Sequence, residues 1–532
     1  MPQAAETSAA TPGRERRAPR GGGPDRERPA SVPTGLKPLA GESFGYDEAR
    51  HLLWRAGFGG TSGQVRTLVE WGVERSVRHL VRFEGAPPGA SDDKRFRGDI
   101  MQPLTDEERL AYREALRTQN ERLIERFRER RQAQQRADRR QVAEMQRWWL
   151  ERMIETPRPF EEKMTLFWHS HFATSYRTIE NSYHLLMQNR LFRAHAAGNF
   201  GELLFRIIRD PAMLAYLDND KSRVGAPNEN YARELMELFS LGEGGYSERD
   251  IKEGARALTG YGFEGNEFAF RERLHDRDSK TILGKTGNLD GDGFVRAILE
   301  SRRCSEFIAM KLYEFFVAPL PAAGDPDRRA MTGTVEAMAK LLRAERYDLA
   351  PALEALFVSE HFYAERFRVE RIKSPAELVV GTVRSLRTPV RSLRMLNDAM
   401  GLMGQSLFFP PNVAGWAEGR SWINTSTLFV RQNVANFLLT GKTPSGFDPL
   451  AEVERWEASE LLDGLREADA GAERDPERVV EYVTRFMLGR APTSQQRRAL
   501  LEFVDSTGGR VSEPVVTGLA VLVSAMPEYQ LC

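Results

Sequence analysis

The sequence predicts an all-α protein, mainly helical and built of many helices, with one small β-hairpin. Apolar residues recur at helical spacing through nearly the whole chain, and capping residues, prolines and glycines punctuate them where helices start and stop. Only the stretch 263–283 changes character: Phe268 and Phe270, then Thr281 and Leu283, alternate around His275-Asp276-Arg277-Asp278 and predict a two-stranded hairpin.

With 532 residues the chain can form two or more domains, or one large helical domain with embellishments. Hydrophobic content of 41%, charged content of 29% and a formal net charge of zero place it among soluble globular proteins. They offer no general field to draw in nucleic acid or an anionic membrane. The two cysteines, Cys304 and Cys532, stand far apart, which excludes a zinc ribbon or a disulfide framework. No apolar run approaches the roughly 18 residues needed for a membrane span. Arg16-Arg17 is followed by Ala-Pro-Arg-Gly-Gly-Gly instead of an apolar core, so no signal peptide is visible and the literal expectation is a cytoplasmic protein.

Residues 1–38, rich in Pro, Gly, Ala, Ser and Arg, cannot bury enough surface to offset the entropy of ordering and are expected to form a disordered tail. A main helical domain over 39–445 and a C-terminal helical extension over 446–532, packed on it, follow. The first helix starts near Tyr46, carries His51 on a partly apolar face, and stops at Gly57-Phe58-Gly59-Gly60; a second covers about 62–71. Thr105-Asp106-Glu107-Glu108 has the pattern of a capping box and opens one or two long exposed helices over 105–155. Their interleaved charges fit a solvated face better than a nucleic-acid footing, and their end, around Trp148 and Trp149, is apolar enough to dock. Asp210-Pro211 starts another helix. Asn288-Leu289-Asp290-Gly291-Asp292-Gly293 resembles the opening of a calcium loop but lacks the Glu at its twelfth position. Cys304 reads as a packed small hydrophobe. Trp416 and Trp422, on a loop bracketed by prolines and glycines, are expected to plug the core in preference to forming a sugar platform. Pro492-Thr493 and Ser512-Glu513-Pro514 open the last two helices.

Two stretches carry the chemistry. Phe167-Trp168-His169-Ser170-His171-Phe172 holds two of the eight histidines, with Met164, Phe167, Trp168, His171 and Phe172 on one helical stripe. His169 lies about 160° away around an ideal helix, so both rings reach one ion only if the helix ends or unwinds there; in a strand they would share a face. In Asn228-Glu229-Asn230-Tyr231-Ala232-Arg233-Glu234-Leu235-Met236-Glu237-Leu238-Phe239, one side is apolar, while Asn230, Arg233, Glu234 and Glu237 fall within about 100° of each other on the other. Carboxylates and an amide on one side are costly to bury unless donors, cations or a metal meet them. His169 or His171 is therefore expected beside Asn230, Glu234 and Glu237, with His275 as the additional member.

These stretches, together with His51-Leu52-Leu53-Trp54-Arg55-Ala56-Gly57-Phe58-Gly59, Asp210-Pro211-Ala212-Met213-Leu214, Ala257-Leu258-Thr259-Gly260 and Pro410-Pro411-Asn412-Val413-Ala414-Gly415-Trp416, resemble the bacterial domain of unknown function 1800 family over nearly the whole chain from Tyr46 onward. The resemblance names no substrate and no catalytic residues. It implies an exported location, as in many relatives, and a partner of the alkaline-phosphatase-like domain of unknown function 1501 class.

Two functions compete. The first is an enzyme, hydrolytic or oxidative, with Glu234, Glu237 and His171 as catalytic residues and Asn228, Asn230 and Arg233 as binding residues. His169, His171, Glu234 and His275, with Asp276 nearby, would hold a divalent metal such as zinc, iron or manganese. A metal-free form would use a Glu as base and a His as acid. No nucleophile elbow, phosphate loop or dinucleotide fingerprint competes with this reading. The second is a non-catalytic helical scaffold that binds a partner protein or a surface polymer, its Asn- and Glu-rich face a buried polar network.

Overall fold

In the computed structural model, residues 32–89, 92–442, 454 and 456–532 are described. Their regular structure is twenty-two α-helices, short 3-10 turns and two small antiparallel two-stranded sheets. No helix among them is long and apolar enough to cross a membrane. Most of the expected tail lies outside the described residues. Its last part, 32–38, is held in place: Val32 is buried, Gly35 N–H donates to Thr334 Oγ1 at 2.9 Å, and Pro38 bridges to Ser359.

Local chemistry sets the helix ends. Thr105 Oγ1 accepts from the Glu108 N–H at 3.2 Å while the Glu108 carboxylate accepts from the Thr105 N–H at 2.9 Å, the reciprocal box expected, and it opens Asp106–Arg117. Glu121–Glu155 runs 35 residues, roughly 50 Å at 1.5 Å per residue. Its first half is largely exposed and its last turns bury Met145, Trp148, Trp149 and Met153. The second helix stops at Trp71 as expected, where Gly72 (φ +75°) leaves helical geometry, and a further helical segment continues from there to Arg82. His51 packs against Phe362, ring centroids 4.8 Å apart, and Cys304 is buried, both as core residues. Asp290 does not open a calcium loop; it caps Gly291–Glu300 by accepting from Gly293 N–H at 2.9 Å.

The hairpin expectation needs correction. Phe268 and Phe270 do not pair with Thr281 and Leu283; Tyr261–Glu264 pairs with Glu267–Phe270, and Lys280–Ile282 with Lys285–Gly287. The reason is turn chemistry. Gly265-Asn266, with Gly265 at φ +60°, and Leu283-Gly284, at φ +48° and +78°, each close a two-residue loop whose twist suits antiparallel strands.

Pro159–His171 is the central helix. It has no exposed apolar-polar division: Phe160, Met164, Leu166, Phe167 and Trp168 are buried, and so are Glu162, Lys163 and His169. Such a helix is tolerable only if its charges are met. Glu162 accepts from Arg193 at 2.6 and 2.9 Å, from Trp149 Nε1 at 3.0 Å and from Arg152. Lys163 donates to the Gly57 carbonyl at 2.8 Å and pairs with Glu377, which also pairs with Arg371. The early helix Tyr46–Arg55 is tied to the late helix Pro476–Leu488 by Arg50, which donates to the carbonyls of Phe486 and Met487 at 2.7 and 2.9 Å.

Candidate functional site

The central helix ends at His171, and three of the sequence stretches meet there. Gly415 (φ +88°) lies so close that a Cβ on it would overlap the Ser170 carbonyl, and the Trp416 N–H donates to Ser170 Oγ at 3.3 Å. From the other side comes Glu237–Leu241, a π-helical last turn following Glu229–Met236 and stopped by Gly242 (φ +71°). His171 Nε2 donates to the Phe239 carbonyl at 2.9 Å, which puts the neutral ring's lone pair on Nδ1.

Two adjoining cavities open beside this end and share Ser170, Glu314 and Glu418 in their walls. The first, about 310 Å³, is mostly apolar, with Leu166, Phe315, Trp416 and Trp422 as well as Arg371 and Glu377. The second, about 240 Å³, gathers His171, Glu237, Glu243 and Lys311 with Phe167 and Phe307. A larger cavity of about 410 Å³ lies elsewhere, beside Trp71 and His79. Its buried cation, Arg384, is taken up by the Ile154 and Thr156 carbonyls at 2.6 and 3.0 Å, at the end of Glu121–Glu155. That is a helix cap, so the paired cavities are the better site.

The central helix separates the two histidines as the geometry of an unbroken helix requires. His171 faces the second cavity. His169 sits in an aromatic box of Trp149, Phe192, Phe408 and Trp416, ring centroids 5.4, 6.1, 5.4 and 5.4 Å away, and neither ring nitrogen has a partner. Burial pushes both histidines down to about 3. At His171 burial favours the neutral ring, which weighs against its expected role as an acid.

Glu237 lines the second cavity and accepts from Tyr246 Oη at 2.6 Å. Burial, then the charge of Glu237, raises the Glu234 carboxyl. The remaining candidates are occupied elsewhere. Asn228 caps its helix, accepting from Asn230 N–H at 3.0 Å, and donates to the Leu217 and Asp218 carbonyls; Asn230 is exposed. Arg233 forms a two-pronged pair with Glu248 at 2.9 and 3.0 Å. His275 Nδ1 meets the Thr259 carbonyl at 2.9 Å, and Asp276 pairs with Arg256 at 2.8 and 3.1 Å. The expected metal set of His169, His171, Glu234 and His275 does not converge; among the described residues no group of three or more His, Cys, Asp or Glu is placed to hold a metal ion.

Sequence reasoning missed Glu314 and Glu418. Glu314 lies near the end of Arg302–Phe316 within Leu312-Tyr313-Glu314-Phe315-Phe316, and a lone carboxylate inside an apolar run was its available signal. Burial raises it; Lys311 opposes and Glu418 adds to the rise. Behind the first cavity, Glu377 is buried, which alone would raise it, yet Arg371 and Lys163 hold it far below the usual carboxylate range. Burial pushes Lys163 down to about 8.

The profile of the family described as protein of unknown function (DUF1800) matches residues 51–531. The chain belongs to that family. No curated protein and no solved structure matches it. In this DUF1800 chain three of the stretches that carried the resemblance are physically joined: the Phe239 carbonyl receives His171, and Gly415 and Trp416 rest on Ser170.

Proposed function

We propose that the paired cavities form the active site of a hydrolytic enzyme working by acid–base catalysis without a resident metal. Glu314 is the proton donor, Glu237 the base that takes a proton from water, and Ser170 and His171 Nδ1 orient the substrate. What carries the reading is Glu314, half-buried in the wall common to both cavities, whose carboxyl desolvation raises, while Glu237 and Glu418 face the same space. Two carboxyl groups with unequal environments are what acid–base hydrolysis requires. The test is turnover of p-nitrophenyl esters, p-nitrophenyl glycosides and aryl amides by purified protein. Glu314→Gln and Glu237→Gln are expected to lower kcat by about 10²- to 10⁴-fold, while Glu248→Gln, at an exposed ion pair, leaves it unchanged. Absence of turnover on every class, or full turnover by both active-site variants, refutes the proposal.

A second reading, a scaffold for a partner protein, draws on one observation: Leu110 and Leu116 of Asp106–Arg117 are 62% and 50% exposed beside the exposed first half of Glu121–Glu155. The partner implied by the family resemblance is an alkaline-phosphatase-like protein of the domain of unknown function 1501 class. Co-purification lost on Leu110→Ser with Leu116→Ser would favour this reading; co-purification unaffected by that change would remove the arm from it.

A further inference from the structure

We propose that a second site, away from the paired cavities, binds a neutral oligosaccharide in an extended groove centred on Trp71. It stands independently of the hydrolytic reading.

The helix Ser62–Arg82 sets Gln64, Thr67 and Trp71 three and four residues apart, so they share a face. All three line the cavity of about 410 Å³. Gly72 turns the chain at the end of that face, and His79 comes back against Trp71 with ring centroids 4.9 Å apart. Glu155, the last residue of Glu121–Glu155, and Arg387 complete the wall. The cavity continues at both ends. Glu155, Thr156 and Pro157 also line a cavity of about 340 Å³, while Thr61 and Arg387 also line one of about 210 Å³. Three cavities in series suit a chain of linked units better than one compact molecule.

The free polar groups of the central cavity select the kind of unit. Gln64 Nε2 and Trp71 Nε1 are donors, the Glu155 carboxylate is an acceptor, and none of the three meets a protein partner among the described residues. His79 Nδ1 donates to the Glu84 carbonyl at 2.6 Å, which leaves the lone pair of the neutral ring on Nε2 as a second acceptor. All four side chains are half-buried or exposed, so a ligand can reach them. A sugar hydroxyl donates and accepts at once, so a ring bearing several can meet donors and acceptors together, and the indole offers an apolar surface to the C–H groups of the same ring. Arginines and carboxylates line the three cavities in near-equal number, so neither a polyanion nor a polycation gains from its net charge. No residue of either two-stranded sheet lines the groove, so the strand edge that an extended peptide would join is missing.

Binding is read by isothermal titration on the full chain. The neutral probes are cellohexaose, xylohexaose, maltohexaose and N-acetylchitohexaose, each beside its disaccharide; the contrasting probes are a heparin hexasaccharide, hexalysine and acetyl-(Gly-Ser)₃-amide. At least one neutral hexasaccharide is expected to bind, about tenfold or more tighter than its disaccharide and tighter than all three contrasting probes. Trp71→Ala and Glu155→Ala should each weaken it severalfold. Glu155 is exposed and unpaired, so its loss is not a loss of fold, and circular dichroism should stay unchanged. Glu70→Ala, on the same helix but outside the wall, should leave affinity as it was, and so should Glu314→Gln in the paired cavities. Failure of every neutral hexasaccharide to bind, equal affinity for hexamer and dimer, tighter binding of a charged or peptide probe, or full affinity in both Trp71→Ala and Glu155→Ala each overturns the proposal. Loss of binding in Glu314→Gln would move the sugar to the paired cavities and overturn it as well.

Discussion

His171 Nε2 donates to the Phe239 carbonyl at 2.9 Å, and this bond joins the end of the central helix to the π-helical turn that carries Glu237. A carbonyl near the end of a helix lacks its own intrahelical donor, and the imidazole supplies one. Replacing His171 with Phe should leave that carbonyl unmet and destabilise the fold by about 1–3 kcal/mol, measured as a lower urea midpoint. A midpoint unchanged within error would mean that the bond contributes nothing.

His169 and His171 make stability pH-dependent in a defined direction. Both are held neutral, with folded values of about 3 against an ordinary value near 6.5. Between those values the unfolded chain binds the protons that the folded chain refuses, so stability is full above pH 6.5 and falls as pH drops toward 3, by up to about 1.4 kcal/mol per pH unit for each ring. His169→Phe fits the aromatic box and removes one titrating group. Denaturation midpoints at pH 7.5, 6 and 5 should decline less steeply in this variant; parallel declines would show that His169 is not buried neutral.

In the Lys163–Glu377–Arg371 cluster a single buried carboxylate meets two cations. Glu377→Leu strands two buried cations and should cost about 3–5 kcal/mol, seen as insoluble expression or a large fall in Tm. Glu360→Leu, whose pair with Lys37 is exposed, should change Tm little. Similar, small effects at both positions would contradict the assigned burial.

Gly415→Ala must push the loop off Ser170, since the new Cβ meets backbone and the φ of +88° disfavours any side chain. The expected loss is on the order of 2 kcal/mol or more, with a red shift in tryptophan emission as Trp416 becomes wetter. Gly244→Ala, at φ +72° with open space around it, should lose only the backbone part, about 1 kcal/mol. Equal losses would place the loop away from Ser170.

Glu314→Gln should stabilise the protein while abolishing the proposed chemistry. A carboxyl raised in the folded state binds a proton that the unfolded chain has already released, so it costs increasing stability as pH rises above about 4.3. The Tm advantage of the Gln variant should therefore widen between pH 4.5 and 7; an advantage that narrows would reverse the sign of the shift.

Much of the helical organisation was legible because its determinants are local: the Thr105–Glu108 box, Asp210-Pro211 at a helix start and Gly57-Phe58-Gly59-Gly60 at a stop each act within a few residues. The burial of Trp416 and Trp422 was legible from their bracketed loop. Other features depend on partners distant in sequence. The stripe reading of Pro159–His171 assigned it one apolar face, since nothing near Glu162 or Lys163 announces that Arg193 and Glu377 will meet them. The strand pattern marked Phe268 and Thr281 correctly as extended, yet pairing followed two turns that periodicity does not register. For the site, His171 and Glu237 were found from their own helices, whereas Glu314 and Glu418 become neighbours only through the assembled fold.

Arg50 has a consequence for how the protein is made. Its guanidinium partners, the carbonyls of Phe486 and Met487, lie 436 and 437 positions further along the chain. At about 5–20 residues per second a ribosome delivers them roughly 20–90 s after Arg50 itself. During that interval Tyr46–Arg55 is already synthesised but cannot take its native place without leaving a desolvated cation unpaired. The nascent chain therefore carries this helix, with the apolar surface of Leu52 and Leu53 beside it, without its native partners until Pro476–Leu488 has been made.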